Sequence, residues 1–468
     1  VIALSIGEIC AIVGGSLITA FDNDGATVVS GSVETDSRLV TDGSVFFALP
    51  GEFTDGHLFA PDAVGHGAAL VVGERRLDIG VPQIVVTDGV VALSDLARAV
   101  VRRVRASGPL SVVGITGSNG KTTTKNMLSA VLSEEGPTIA PPGSFNNHIG
   151  APISMLRITP ETRYLIVEMG ASGAGEIARL VDIARPDIGV VLKVGLAHVG
   201  EFGGVDAVQR AKSEMVSDLP ESAVALLNAD DPRVVAMAQQ TLARVRWFGL
   251  SSRADVRAED VEASAAGTSF TLVTGGVRAP VRLRILGEHH VMNALATLGA
   301  ALELGVPIER AIAAIEAVAR AERWRMEVLD PGSGITVIND AYNASPDSMA
   351  AALKTLAQIV TGEQRSVAIL GEMAELGEYS QEEHDRIGRL VVRLNIGKLF
   401  VIGHAARHIH NAAGLEGSWD GESVLLDSIE AAYDVLDEEL RAGDVVLVKS
   451  SKSAGLRFLG DRLGGVAE

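Results

Sequence analysis

The sequence predicts an α/β protein of three domains, and three observations carry that reading. The chain has 468 residues, which at roughly 150 per domain amounts to about three domains, each long enough to bury a core. Apolar residues make up 47% and aromatic ones 4%, so the cores have to be built from Val, Ile, Leu and Ala, as in parallel sheets covered by helices. Short apolar runs alternate with helical patterns through the middle of the chain and again near its end. Strands separated by helices imply right-handed crossovers and mostly parallel sheets.

In chain order, the first hundred residues read as short strands (44–48, 69–72) among Gly- and Asp-rich turns. Residues 105–109 (RASGP) read as a linker ahead of a strand. Strands are expected at 110–115, 164–168, 188–194 and 223–227, with helices over 121–135, 175–184 and 205–218. An Ala-rich helix over 308–321 leads into 322–327 (ERWRME), which opens a strand-rich stretch. The alternation returns with strands at 366–370, 398–402 and 445–449. The expected domains are therefore an N-terminal α/β domain (1–106), a central domain with a mostly parallel sheet (107–321) and a Rossmann-like C-terminal domain (322–468).

The 59 acidic side chains outnumber the 40 basic ones, for a formal net charge of −19. Such a surface repels a phosphate backbone, so nucleic acid is not expected as a partner. No apolar run reaches the roughly 18 residues that cross a bilayer, and no basic segment with an apolar core and cleavage site opens the chain. Cys10 is the single cysteine, which excludes an internal disulfide and a multi-cysteine zinc site. The expectation is a monomeric, cytoplasmic protein without membrane insertion.

The chemistry concentrates at strand ends. Residues 114–124 read GITGSNGKTTT: a strand runs into a Gly-rich turn, and Lys121 and Thr122 open a helix. The backbone of Gly117, Ser118, Asn119, Gly120 and Thr123, with the helix N-terminus, would point N–H groups at a phosphate chain. Lys121 adds a point charge and Thr122 a hydroxyl for Mg²⁺. The Walker pattern places a glycine where this chain has Ile115, so the loop departs from it at its start alone. Glu168 closes the apolar strand of YLIVEMG, on the same sheet edge as the loop, where a carboxylate holds Mg²⁺ on a nucleotide. A solvated strand-end glutamate is the plainer alternative. His198 stands among glycines in 195–203 (GLAHVGEFG) and reads either as a second metal or phosphate ligand or as a structural histidine. Lys212, in RAKSEM on the following helix, has nothing in its local sequence that selects it.

Together and in this order, these motifs resemble the Mur ligase superfamily, the ATP-dependent amide-forming enzymes of peptidoglycan precursor synthesis. The resemblance spans nearly the whole chain. Residues 34–38 (ETDSR) and 43–57 (GSVFFALPGEFTDGH) resemble a uridine-nucleotide-binding N-terminal domain, which implies Asp36, Ser37 and Arg38 as substrate contacts. The loop, Glu168, His198, Lys212 and 228–232 (NADDP) resemble the central P-loop ATPase domain. Residues 287–296 (GEHHVMNALA) resemble its adenine-side helix, with Asn293 as a nucleotide contact. Arg325, 339–349 (NDAYNASPDSM) and 371–377 (GEMAELG) belong to the C-terminal domain, where the family's counterparts of Arg325 and Asp340 reach the ATP. YNASP at 342–346, GEMAELGE and NNHIG at 146–150 match the branch that adds the terminal dipeptide, and imply Asn146, Asn147 and Asn343 as further substrate contacts. Four positions depart from the family pattern. His290 stands where Asn is frequent, Lys193 where Asn is common, Arg325 follows Trp324 rather than Gly, and 449–452 (KSSK) replaces Lys-Gly-Ser-Arg.

The resemblance implies a two-step reaction. Transfer of the ATP γ-phosphoryl group to the carboxylate of UDP-N-acetylmuramoyl-tripeptide gives an acyl phosphate, which the amine of D-alanyl-D-alanine attacks. Two anions have to meet, so charge neutralisation is the main task. The implied catalytic set is Lys121, Glu168, His198 and Lys212. Thr122 and Glu168 would hold one Mg²⁺ and His198 a second, with a carbamylated Lys212 as a carboxylate-like ligand. The C-terminal domain is implied to close over ATP and exclude water. Within the family, a ligase for a different amino acid is the alternative; the rival reading from another class is a P-loop ATPase that couples hydrolysis to motion. It explains the loop and Glu168, but not the DSR segment, GLAHVGEFG or YNASP.

Overall fold

A computed structural model describes residues 2–19, 24–51, 54–319, 322–417 and 419–466. Its largest sheet lies in the middle of the chain. In spatial order it runs Thr138–Ile139, Tyr164–Glu168, Ser111–Thr116, Ile188–Val191, Val224–Asn228, Arg244–Gly249 and Val256–Ser264, all parallel, followed by antiparallel Gly267–Thr274 and Val277–Leu283. Helices cover both faces of its centre, which is why Tyr164–Glu168 is buried along its whole length and reads as an unbroken apolar run. Strand order reverses on either side of Ser111–Thr116. The carboxyl end of that strand is therefore a topological switch point, where open α/β sheets bind ligands.

Two smaller sheets flank it in sequence. The first, in order Ser16–Ile18, Gln83–Val85, Leu70–Gly73, Val45–Ala48 and Val33–Glu34, is parallel except at its first pair. The last, in order Glu327–Leu329, Thr336–Asn339, Asp444–Lys449, Arg365–Leu370, Lys398–Ile402 and Glu422–Leu426, is also parallel except at its first pair. Asp340, Lys449 and the segment from Gly371 all stand at the carboxyl edge of this last sheet.

The packing is unequal. One apolar cluster runs without a break from Phe47 and Val72 of the first sheet, through Val100 and Val104 of the helix Gly89–Ser107, to Leu165 and Leu180 of the central portion. The C-terminal sheet has its own core on each face. Val199 and Leu286, from the central portion, join the first of these.

The expected strands and helices of the central and last sheets are present, most with ends within one or two residues, and two of the differences have physical causes. Residues 105–107 continue the helix Gly89–Ser107 instead of forming a linker, because its Val100, Val101 and Val104 are buried and Arg105 pairs with Asp187 at 3.0 Å. The strand expected to reach 194 ends at Val191. Beyond it side chains replace the ladder: Asn228 Nδ2 donates to the Leu192 carbonyl (2.7 Å) and Val194 N to Asp231 Oδ2 (2.8 Å). The antiparallel run 256–283 has no counterpart among the expected elements. The helix Ile308–Ala317 is shorter than expected, and the seam at 321 lies outside the described residues. Among the described residues no helix is long and apolar enough to cross a membrane.

Candidate active site

Strand Ser111–Thr116 ends at the switch point, where Thr116 Oγ1 donates to the Met169 carbonyl (2.8 Å) and ties it to the neighbouring strand. The chain then turns through Gly117 (φ 154°) and Gly120 (φ 88°), a left-handed value that favours glycine. A Cβ at Gly120 would stand 2.3 Å from Asn293 Oδ1, so the close approach of the helix His289–Glu303 also requires glycine there. The helix Lys121–Ser133 starts without a side-chain cap, which leaves its first N–H groups free for an anion. Lys121 Nζ folds back onto the Gly117 carbonyl (2.7 Å). Loss of water lowers the Lys121 pKa, opposed by the Glu168 charge and reinforced by Arg325.

Glu168 is 1% exposed. Its Oε1 accepts from Asn146 Nδ2 (2.8 Å) and Thr122 Oγ1 (3.3 Å), while Oε2 is buried with no partner among the described residues. Buried carboxylate oxygens are satisfied in native proteins. An unpartnered one beside a threonine hydroxyl at a phosphate loop fits a divalent cation that takes oxygen donors. His198 lies at φ 61° on the neighbouring loop, with its Nδ1 against the Glu375 carboxylate and 3.6 Å from Glu201 Oε2. Lys212 is buried on the helix Val205–Ser217, and its amine has no hydrogen-bond or ion-pair partner among the described residues. Burial first, and the Lys121 charge second, lower its pKa to about 7.

The C-terminal domain closes the other side. Arg325 Nη2 donates to Thr122 Oγ1 (3.2 Å), and its guanidinium lies 4.2 Å over the Tyr342 ring. Ser345 Oγ donates to Asn119 Oδ1 (3.0 Å), Tyr342 bonds Ser144 through their hydroxyls, and Lys193 pairs with Asp347 (3.2 Å). Asp340 accepts from Met326 N (3.0 Å) and from buried Lys449 (2.6 Å), whose Nζ also donates to the Asn343 carbonyl (3.1 Å). All of these but Lys193 and Asp347, together with the loop and Glu168, line a cavity of about 280 Å³. A Gly-rich loop, a carboxylate, and an arginine and a lysine from another domain meet in it.

Three family models match successive stretches of the chain. The Mur ligase family catalytic domain matches residues 31–106, the Mur ligase middle domain 115–301, and the Mur ligase glutamate ligase domain 324–452. The UDP-N-acetylmuramoyl-tripeptide–D-alanyl-D-alanine ligase of Mycobacterium tuberculosis is 45% identical over 99% of this chain and 98% of its own length. The chain belongs to the Mur ligase family. The ligase of the same name from Escherichia coli K12 is 33% identical over 97% of each chain. Among solved structures, MurF from Acinetobacter baumannii superposes on this Mur ligase with a TM-score of 0.88 at 30% identity, covering 98% of both chains. The MurF ligase of Thermotoga maritima in complex with ADP has a TM-score of 0.80 at 27% identity, covering 93% of this chain and 98% of its own.

Of the residues expected from sequence, Ser118, Asn119, Gly120, Lys121, Thr122, Thr123, Asn146, Glu168, His198, Asn293, Arg325, Asp340 and Asn343 line the one cavity. Gly117 contributes its carbonyl to Lys121, and Lys212 stands outside the lining but within reach of the Lys121 charge. Asn146 is engaged with Glu168, and Asn147 Oδ1 accepts from Gly150 N (2.8 Å), capping the helix Gly150–Met155 rather than facing the cavity. Asp36, Ser37 and Arg38 lie apart, at a second cavity of about 580 Å³ on the carboxyl edge of the first sheet, where Arg38 pairs with Asp36 (2.6 Å). Lys449, Tyr342 and His289 line the main cavity, although the sequence motifs that contain them assigned them no individual role. A lysine ending the strand beside Asp340 was the available signal for the first of them.

Proposed function

We propose that this Mur ligase joins D-alanyl-D-alanine to the tripeptide carboxylate of UDP-N-acetylmuramoyl-tripeptide, with ATP converted to ADP and phosphate by way of an acyl phosphate. The observation that carries this reading is the cavity. A phosphate loop, an unpartnered carboxylate oxygen and basic residues of a second domain meet there, in a chain similar over nearly its whole length to ligases of that name. A carboxylate is a poor acyl donor because its leaving group would be an oxide. Phosphorylation supplies a good leaving group, at the cost of bringing two anions together. Lys121, the loop N–H groups and Arg325 neutralise that charge in a site shielded from water. Asp340 and Lys449 hold the C-terminal side of the cavity in register.

Mg²⁺ bound at the site would neutralise phosphate and carboxylate oxygens. Thr122 and Glu168 are the residues for one ion, His198 for a second. A free ammonium at Lys212 would repel them. Its lowered pKa and missing partner support addition of its amine to CO2, which forms an N–C bond, releases a proton and places a carbamate beside Lys121. In this reading Asp36, Ser37 and Arg38 meet the uridine nucleotide at the second cavity. Asn146 and Asn343 lie along the peptide path, Asn147 holds the turn that follows Asn146, and the three domains are 1–106, 107–321 and 322–468. The enzyme works as a cytoplasmic monomer.

The test is phosphate release from ATP and Mg²⁺ by the purified protein, with UDP-N-acetylmuramoyl-tripeptide, in the presence and absence of D-alanyl-D-alanine. Release that requires both, with a product heavier by the dipeptide, is the expected result. Release indifferent to both would replace this reading with an uncoupled ATPase.

A further inference from the structure

We propose that Glu375 of the C-terminal domain is a positioning residue for His198, so that the histidine's cation site is complete only while that domain is docked. The inference rests on the reading of His198 as a cation ligand. By chain, the loop 195–203 belongs to the central domain. By packing, it belongs equally to the other. Val199, next to His198, is fully buried in the C-terminal core with Met373 and Leu376. Gly200 N donates to the Glu375 carbonyl (3.0 Å). A Cβ on Gly200 would stand 2.6 Å from Gly377 N and 2.9 Å from the Glu375 carbonyl oxygen, so the loops touch backbone to backbone.

Glu375 itself sits at φ 62°, a region that non-glycine residues seldom occupy and that persists when surrounding contacts impose it. That turn brings its carboxylate against His198 Nδ1, off the ring N–H axis, with Glu201 Oε2 farther away at 3.6 Å. Histidines that bind metal through one nitrogen are oriented by a carboxylate at the other. With Nδ1 covered, Nε2 is the nitrogen left for the cavity that His198 lines, and it has no hydrogen bond among the described residues. The orienting carboxylate comes from the domain that also supplies Arg325 and Asp340. Docking would therefore assemble the cation site and the nucleotide contacts in one event.

The test titrates Mn²⁺ into the full-length protein with ADP present and counts free Mn²⁺ by electron paramagnetic resonance. Glu375→Ala, at a half-exposed side chain that leaves the core intact, is expected to weaken one of the bound ions roughly 10–100-fold. Glu375→Gln keeps an acceptor oxygen for the ring N–H, and should stay within about threefold of the unaltered protein if the role is orientation rather than ligation. Val199→Ala should move the same ion in the same direction. In steady state the half-saturating Mg²⁺ concentration should rise in Glu375→Ala, while KM for ATP at saturating Mg²⁺ is unchanged. Loss of Mn²⁺ affinity in His198→Ala without any in Glu375→Ala overturns this proposal alone, as does an equal loss in the Gln and Ala variants. Full Mn²⁺ affinity in His198→Ala overturns the reading of His198, and the proposal with it.

Discussion

Lys212 and His290 are residues whose charge state depends on what packs around them. The Lys212 amine, stripped of water and close to Lys121, has a pKa of about 7, so near neutrality much of it is an uncharged nucleophile. Below that pH it is an ammonium, unable to add CO2 and repulsive to a cation. Activity should therefore fall as pH drops through about 7, and fall further in buffer freed of CO2. A carbamate signal from ¹³C-bicarbonate in the NMR spectrum, absent in Lys212→Ala, checks the cause, and full activity without CO2 would exclude it. His290 is buried, and its Nδ1 accepts from Asn293 Nδ2 (3.2 Å), leaving an Nε2–H without a partner. Burial, then the charges of His289 and Arg325, push its pKa well below the usual imidazole range. The native protein keeps His290 neutral while the unfolded chain takes up a proton as pH falls through about 6.5, so this stability is present above that pH and is lost on acidification. His290→Asn should flatten the decline in urea midpoint between pH 7 and 5. An unchanged slope would assign the decline to other groups.

At the scale of elements, the phosphate loop and the strand carrying Glu168 were legible because both are short-range features. Gly117, Gly120, Lys121 and the uninterrupted apolar run at Tyr164–Glu168 need no distant partner to be recognised. The segment after Val191 was not legible, because polar side chains far along the chain hold it. Asp231 does two jobs there. Its Oδ1 accepts from Arg233 N (2.9 Å) to cap the helix Pro232–Met237, and its Oδ2 accepts from Val194 N (2.8 Å) at the root of the His198 loop. Asp231→Ala should cost about 2–4 kcal/mol, the loss of a cap plus a buried unsatisfied N–H, read from urea unfolding. A loss under about 1 kcal/mol would mean that water replaces the carboxylate. The strained turn at Trp324 (φ 60°) and Met326 (φ 50°) stands where the family pattern has glycine. Contacts offset that strain: Trp324 Nε1 donates to Asp461 Oδ2 (2.8 Å), and its ring stacks on Tyr342 at 6.5 Å. The antiparallel run 256–283 left a signal unused, since Gly275-Gly276 between two alternating strands marks a hairpin.

For the whole molecule, the unequal packing sets the units of unfolding. The first and central sheets share one apolar cluster, whereas the C-terminal domain has cores of its own, joined to the rest by Val199, Leu286 and the polar bridges around the cavity. Calorimetry should resolve two transitions, with the first two domains melting together and the C-terminal domain separately. A single transition with equal calorimetric and van't Hoff enthalpies would show that docking couples all three.

The sequence by itself determined the α/β class, the order of strands and helices, the Gly-rich turn between strand and helix, the strand-end position of Glu168, and family membership through motifs spread along the chain. These rest on local periodicity, glycine geometry and strand-end position, which act over a few residues. Tertiary structure alone decided that Lys212 is buried beside Lys121, that Asn147 caps a helix while Asn146 turns to Glu168, and that Glu375 meets His198. Burial and Coulomb interaction depend on distance in space, and residues such as Lys121 and Lys449 become neighbours of one cavity only when separate sheets dock at their carboxyl edges.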